Sequence, residues 1–338
     1  MLKYIIKRIL MLIPVLIGVS IIVFLIMRVF SPDPAPIVLG QHATQQAVEA
    51  WRQANGLNDP IYLQYFHYLQ GALTGDLGTS YYTKTSVTKE IMTRFPATIE
   101  LAIVAIVLAS IFGIVIGVIS AVKKNSIFDN AGMLLALIGV SMPIFWLGIL
   151  LIILFSGMLH WLPSNGRINP LLEPIHVTGF YLIDSLVTGN MSAFKDALQH
   201  IILPASALAM YSMAIITRMT RSSMLDTLQQ DFIRTARAKG IGEGRVIVRH
   251  ALRNGLIPIV TVIGLQLGSL LGGAVLTETV FSWPGIGAYT VACILKSDFP
   301  VVQGVVLLVA TIFVLMNLLV DVIYAFLDPR IKFSKKEV

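Results

Sequence analysis

"LLALIGVSMPIFWLGILLIILF", residues 134–155, contains no charged side chain and carries Pro143 near its middle. A hydrocarbon core about 30 Å thick is crossed by about 20 apolar residues in an α-helix. The stretch is one span if the proline only bends it and two if the proline divides it, and the choice inverts every segment that follows. Proline is tolerated inside a helical bundle because neighbouring groups satisfy the freed carbonyl. The sequence therefore predicts one long helix over 130–158, kinked at Pro143.

The placement of Lys and Arg supports that choice. Five other runs of the same character lie near 9–30, 97–122, 201–217, 256–280 and 304–327. Six spans put both termini on one side, and basic residues accumulate on cytoplasmic segments. With cytoplasmic termini, the inner segments hold Lys3, Lys7, Arg8, Lys123, Lys124, eight residues between Arg218 and Arg253, and Arg330, Lys332, Lys335 and Lys336. Together these are 17 of the 25 basic residues. A seventh span would carry the basic 218–253 loop outside. The net charge of +7 is thus first a statement about topology.

Composition agrees. Hydrophobic side chains make up 56% of the chain and mean hydropathy is +0.81, against about 45–50% apolar residues in soluble domains. The sequence reads as an all-α polytopic membrane protein. The basic start followed by Ile9–Met27 has the order of a signal peptide, but the apolar run is too long and lacks a small-residue cleavage site, so it reads as a retained first helix. The single cysteine, Cys293, excludes an intrachain disulfide, and the six histidines have no ligand-like spacing.

The chain divides into a tail and first helix (1–30), an extracytoplasmic insertion (31–96) and a six-helix core completed by 97–338. In the insertion, Thr44 and Gly56 bracket one helix, and Asp59 with Pro60 opens a second whose Tyr65, Phe66 and Tyr68 suit the membrane surface. "VTGFYLIDSLV" (177–187) is too short to span and contains Asp184, which suggests an interfacial piece.

Inside the bundle, Gly264, Gly268 and Gly272 form a four-residue repeat suited to close helix approach, with Gln266 and Ser269 beside it as candidates to line a path. Gly113 and Gly117 repeat the spacing. Glu100, Asp129, Glu278 and Asp321 lie near the ends of spans, where they must face protein or water. Glu100, Glu278 and Asp321 are the gate or interface candidates. A proton relay would place a carboxylate at mid-depth.

No G-x-x-x-x-G-K-[ST] loop, nucleophile arrangement or metal motif occurs, so no catalytic, cofactor-binding or metal residue is assigned. Energy for transport must then enter from elsewhere. In "TRSSMLDTLQQDFIRTARAKGIGEGRVIVRHALRNG" (220–255) the pattern predicts a helix to about Lys239, a hinge at Gly240, Gly242 and Gly244, and a second helix over 245–253 kept from the next span by Pro258. Phe232, Ile233 and Ala236 fall on one side as an apolar face for a groove on another protein. Reading DNA is disfavoured by the short tether to the membrane, and a lipid-surface loop explains the charges but not the apolar face.

The same stretch resembles the permease subunits of binding-protein-dependent ABC importers, in the dipeptide, oligopeptide and nickel group. The resemblance extends over "GDLGTSY" (75–81), "SIFDNAGMLLALIGVSMPIFWLG" (126–148), "TRMTRSSMLDTLQQDFIRTARAKG" (217–240), "HALRNGLIPIVTVIGLQLGSLLGGAVLTETVFSWPGIG" (250–287), "DFPVVQG" (298–304) and "NLLVDVIYAFLDPRI" (317–331). It implies the type I ABC importer transmembrane fold in a bacterial or archaeal cytoplasmic membrane. It implies a second homologous permease subunit, one or two ATPase subunits holding ATP and Mg, and an extracytoplasmic solute-binding protein, with no nucleic acid. Arg234, Thr235 and Ala236 take the places of the family's E-A-A motif and Gly240 that of its glycine, so Phe232, Ile233, Arg234, Thr235, Ala236, Lys239 and Gly240 are the expected ATPase-coupling residues. Arg in place of the motif glutamate and a long gap to Pro258 depart from the general pattern. Dipeptide or oligopeptide import by alternating access is the expected function, with nickel or metal-chelate import and a self-contained secondary carrier as alternatives.

Overall fold

The computed structural model describes residues 2–40 and 42–327, with side chains described for 10–29, 31–40, 42–272, 274–320 and 322. The Asp321 side chain lies outside the described residues, as do Lys3, Lys7, Arg8 and the basic residues from Arg330 onward. Among the described residues the only β feature is an isolated bridge between Thr79 and Ser86.

Among the described residues five helices are long and apolar enough to cross a membrane, and a sharply bent pair of helices is the sixth apolar segment. The first is α1 (Leu2–Leu25), ending in a wide π turn over Ile26–Phe30. Three helices of the insertion follow: α2 (Pro34–Leu39), α3 (Gln45–Ala54) and α4 (Ile61–Thr74). Thr44 caps α3 as expected, accepting the Ala47 N–H at 3.3 Å. The expected cap at Asp59 is displaced by one residue, since Pro60 is the N-cap of α4 and Gln64 instead donates to the Asp59 carbonyl. Tyr65 and Tyr68 do not lie free at the surface; both pack on Phe24 of α1, and Phe66 points outward.

The core consists of α5 (Val87–Val122), α6 (Ile127–Ser141), α7 (Ile144–Leu151, extended by a π segment to Met158), α8 (Tyr181–Val187), α9 (Met191–Leu228), α10 (Asp231–Ala238), α11 (Glu243–Arg245), α12 (Arg253–Val280), α13 (Ile286–Leu295) and α14 (Phe299–Leu327). At 38 residues α9 exceeds the bilayer, so the expected span over 201–217 and the start of the cytoplasmic helix are one rod. It packs on α5, α6, α7, α8 and α12. Small residues permit this: a Cβ at Gly113 would meet the Met213 carbonyl at 3.1 Å, and one at Gly117 the Thr217 carbonyl at 2.7 Å.

At Pro143 the chain does not kink but turns by 108° between α6 and the α7 segment. The reason is local. The residue before a proline is driven out of the helical region, and Met142 is extended (φ −84°, ψ 130°) as is Pro143 (φ −59°, ψ 131°). Two extended residues in succession break the helix, whereas Pro14, Pro96, Pro204 and Pro258 remain within theirs. Pro258 accordingly fails to separate the second cytoplasmic helix from the next span. The chain runs helically from α11 through a π segment (Val246–Leu252) into α12.

Candidate functional site

Just beyond the end of α9, α10 presents two different sides. Ile233 and Ala236, three residues apart, are 0% and 6% exposed and pack with Ala121, Met224, Val246 and Ala251. The apolar face expected to enter another protein is thus split: Ile233 and Ala236 anchor the helix to its own chain. Phe232, Arg234, Thr235 and Lys239 face outward, with Phe232 43% exposed.

The turn after α10 is built rather than loose. Gly240 N–H donates to the Arg237 carbonyl (2.9 Å) and Ile241 N–H to the Ala236 carbonyl (3.3 Å), with Gly240 left-handed at φ +75°. This double closure ends a helix on a glycine and folds the next apolar residue back; Ile241 packs on the cluster that holds Ile233. Arg237 spans the turn with two bonds to Glu243, 3.1 and 2.5 Å. Gly242 and Gly244 have no positive φ and open space where a Cβ would stand, so of the three expected hinge glycines only Gly240 needs to be glycine.

Two contacts fix the part of α9 just before this unit. Arg221 of α9 donates from Nε and Nη2 to Asp129 at 2.6 and 2.8 Å, locking the start of α6 to α9. Ser223 Oγ donates to the Gly255 carbonyl at 2.8 Å, joining α9 to α12.

The opposite end of the bundle is held by buried polar groups. Glu100 is 5% exposed and accepts from Arg167 Nε (3.0 Å) and Nη2 (2.6 Å) and from the Leu182 N–H (2.8 Å). Arg167 also donates to the Gly179 carbonyl and stacks 3.8 Å from the Tyr181 ring centre. Glu278 is fully buried; it accepts from Thr98 Oγ1 (2.6 Å) and the Ala288 N–H (2.9 Å), and Thr98 in turn accepts from the Ile286 N–H. Trp283 donates Nε1–H to the Ala97 carbonyl at 2.9 Å. The loop after α12, together with α13, is thus clamped onto α5 and α12. A Cβ at Gly287 would stand 2.7 Å from the Val275 Cα, which makes the glycine obligatory there.

The sequence falls into two matched regions. Residues 113–333 match the family model described as the binding-protein-dependent transport system inner membrane component, and residues 1–102 match its N-terminal membrane component. The chain belongs to this family. The permease is also similar along its whole length to curated proteins. It is 50% identical over 333 residues to the dipeptide transport system permease protein DppB of Alkalihalophilus pseudofirmus, 98% of this chain and 100% of that one. It is 46% identical over 337 residues to the di/tripeptide permease of Pseudomonas aeruginosa and 47% over 341 aligned residues to the dipeptide permease of Escherichia coli, in each case 99% of this chain and 100% of the relative.

In this permease the glycine stripe serves packing. A Cβ at Gly264 would overlap Val320, and one at Gly268 would lie 3.5 Å from the Met316 Cβ, so both face α14. Gly272 is looser, 4.0 Å from Val309. Gln266 accepts from Ser212 Oγ at 3.0 Å, while Ser269 lies on an uncovered side of α12 with Leu265 and Leu276. Sequence reasoning did not single out Arg167, Thr98, Trp283, Ser80 or Asp298. Ser80, Trp283 and Asp298 lie in stretches that carry the family likeness, but only the fold shows that "GDLGTSY" and "DFPVVQG" touch. Asp298 accepts from Ser80 Oγ (2.6 Å) and the Tyr81 N–H (3.1 Å).

Proposed function

We propose that this permease forms half of the pathway of an ATP-driven dipeptide importer. The observation that carries the substrate class is end-to-end identity of 46–50% with permeases named for dipeptide or di/tripeptide transport. Nickel import is the less favoured alternative, since none of those relatives is named for it. A second homologous permease subunit completes the pathway. One or two ATPase subunits, binding ATP and Mg, dock on the exposed side of α10 through Phe232, Arg234, Thr235 and Lys239. A solute-binding protein delivers peptide to the outer segments, and both termini lie in the cytoplasm.

Closure of the ATPase dimer draws α10 with it, and the Ile233–Ala236 anchor passes the motion to α9. The two permease subunits then rock as rigid bodies between inward-open and outward-open states. The anchored geometry supports this reading because a helix fixed to its own bundle transmits displacement, whereas a helix inserted by both faces into a partner would not. Reconstitution of this chain with its partner subunits and peptide-loaded binding protein should give ATP-dependent uptake of a labelled dipeptide. Ion-gradient-driven uptake by the chain alone would overturn the reading in favour of a secondary carrier, and nickel uptake without dipeptide uptake would overturn the substrate class.

A further inference from the structure

One face of α9 is left open by an otherwise enclosing bundle. Tyr211, Ile215, Arg218 and Ser222 recur at spacings of four, three and four residues, so they share a side of the helix. With Val140 of α6 they line a groove of about 670 Å³. The groove has a defined depth. Arg221, near one end, is bonded to Asp129 at the start of α6, while Val140 lies at the far end of α6, just before the break at Pro143. Eleven residues of helix from Tyr211 to Ser222 rise about 16 Å, so the groove runs along the part of α9 that ends beside the Asp129–Arg221 pair.

Its chemistry is not that of a lipid-facing surface. A tyrosine, an arginine and a serine on the uncovered face of a membrane helix belong against protein or a water-filled cavity. The two guanidinium groups differ. Arg221 is committed to Asp129 by two hydrogen bonds, whereas Arg218 has no ion-pair or hydrogen-bond partner among the described residues. A dipeptide at neutral pH carries one carboxylate, the natural bidentate partner of a guanidinium. A groove of several hundred Å³ is also the size of ordinary small-molecule sites.

We propose that Arg218, with Tyr211 on the same face, forms a transit site for the C-terminal carboxylate of the dipeptide along the pathway. This inference rests on the dipeptide-importer reading. An exposed guanidinium holds a carboxylate only weakly. Weak binding suits transit, which needs enough attraction to enter and little enough to leave. The same guanidinium would also accept the phosphate of an anionic lipid, and the experiment separates the two.

The test uses the full complex in proteoliposomes, with binding protein saturated by a dipeptide or by its C-terminal amide. Arg218→Gln should lower dipeptide uptake about fivefold relative to amide uptake, equally in phosphatidylcholine vesicles and in vesicles containing phosphatidylglycerol, and Arg218→Lys should restore most of the ratio. An unchanged ratio in Arg218→Gln, a change confined to phosphatidylglycerol vesicles, or Arg218→Lys behaving as Arg218→Gln would overturn the site. Failure of the unsubstituted complex to take up dipeptide would instead overturn the function on which it rests.

Discussion

Ser80 and Asp298, 218 residues apart in sequence, meet in a buried hydrogen bond of 2.6 Å. Asp298 is 1% exposed and also accepts the Tyr81 N–H, so one carboxylate closes the insertion onto the turn that begins α14. Removing one partner of a buried hydrogen bond leaves the other desolvated and unpaired, at a cost of about 1–3 kcal/mol. Asp298→Asn should therefore lower the melting temperature of the purified complex. Cys293 gives a second measure. It is the only cysteine in the sequence, it is buried, and burial pushes its thiol up to about 11, so maleimide should label it slowly. Faster labelling in Asp298→Asn is expected; unchanged labelling and melting would mean the contact does not hold the outer segments together.

The Glu100–Arg167 pair should behave as a buried ion pair. Removing one member of such a pair costs about 3–5 kcal/mol because the other charge remains buried, while replacing both with apolar residues is far milder. Glu100→Gln should reduce thermal stability strongly, and the double variant Glu100→Leu with Arg167→Leu should recover much of the loss. A double variant worse than either single one would contradict the pairing as the source of stability.

Phe232 and Ile233 are neighbours with opposite environments, and their alanine variants should separate docking from folding. Ile233→Ala empties a fully buried site, and such truncations cost about 2–5 kcal/mol. Phe232→Ala should leave melting nearly unchanged and weaken copurification of the ATPase subunits. Gly240→Ala should resemble Ile233→Ala in milder form, because its φ of +75° disfavours a Cβ, whereas Gly242→Ala should be neutral. Equal losses of ATPase copurification in Phe232→Ala and Ile233→Ala, with equal melting, would remove the distinction.

Asp184 sets an acid limit. Burial pushes its carboxyl up, but the Thr178 hydroxyl and the N–H groups of Thr178, Val177 and Gly179 outweigh this and hold it below the ordinary aspartate range. A depressed native pKa contributes stability that is full above the unfolded value, about 3.9, and is lost as pH falls through the native value. Melting temperature should be insensitive to this group from pH 7 to 5 and should fall below pH 4. Asp184→Asn should be less stable than the parent at neutral pH, and the gap should narrow in acid. A gap independent of pH would show that the carboxylate charge is not what the loop 177–179 uses.

Much of the architecture was legible in the residues alone. Hydropathy over windows of about 20 residues depends only on side-chain transfer free energies, so five long apolar helices could be read without neighbours. The fold family followed from the motif stretches, and the cap at Thr44 from local chemistry. Side-chain direction was less accessible. Phe232, Ile233 and Ala236 are all apolar, and which of them faces inward depends on where Ala121, Met224 and Val246 lie in space. The 108° turn depends on two successive residues leaving the helical region, which a proline alone does not dictate, since four other prolines stay within helices.

What the sequence determined by itself was which segments are apolar enough to lie in lipid, because transfer into lipid is a property of each segment. What only the tertiary structure decided was which polar groups meet. Ser80 with Asp298, Glu100 with Arg167, Thr98 with Glu278 and Asp129 with Arg221 each join residues from different segments. A hydrogen bond requires two groups within about 3 Å. Linear order carries no information at that resolution until the helices are packed.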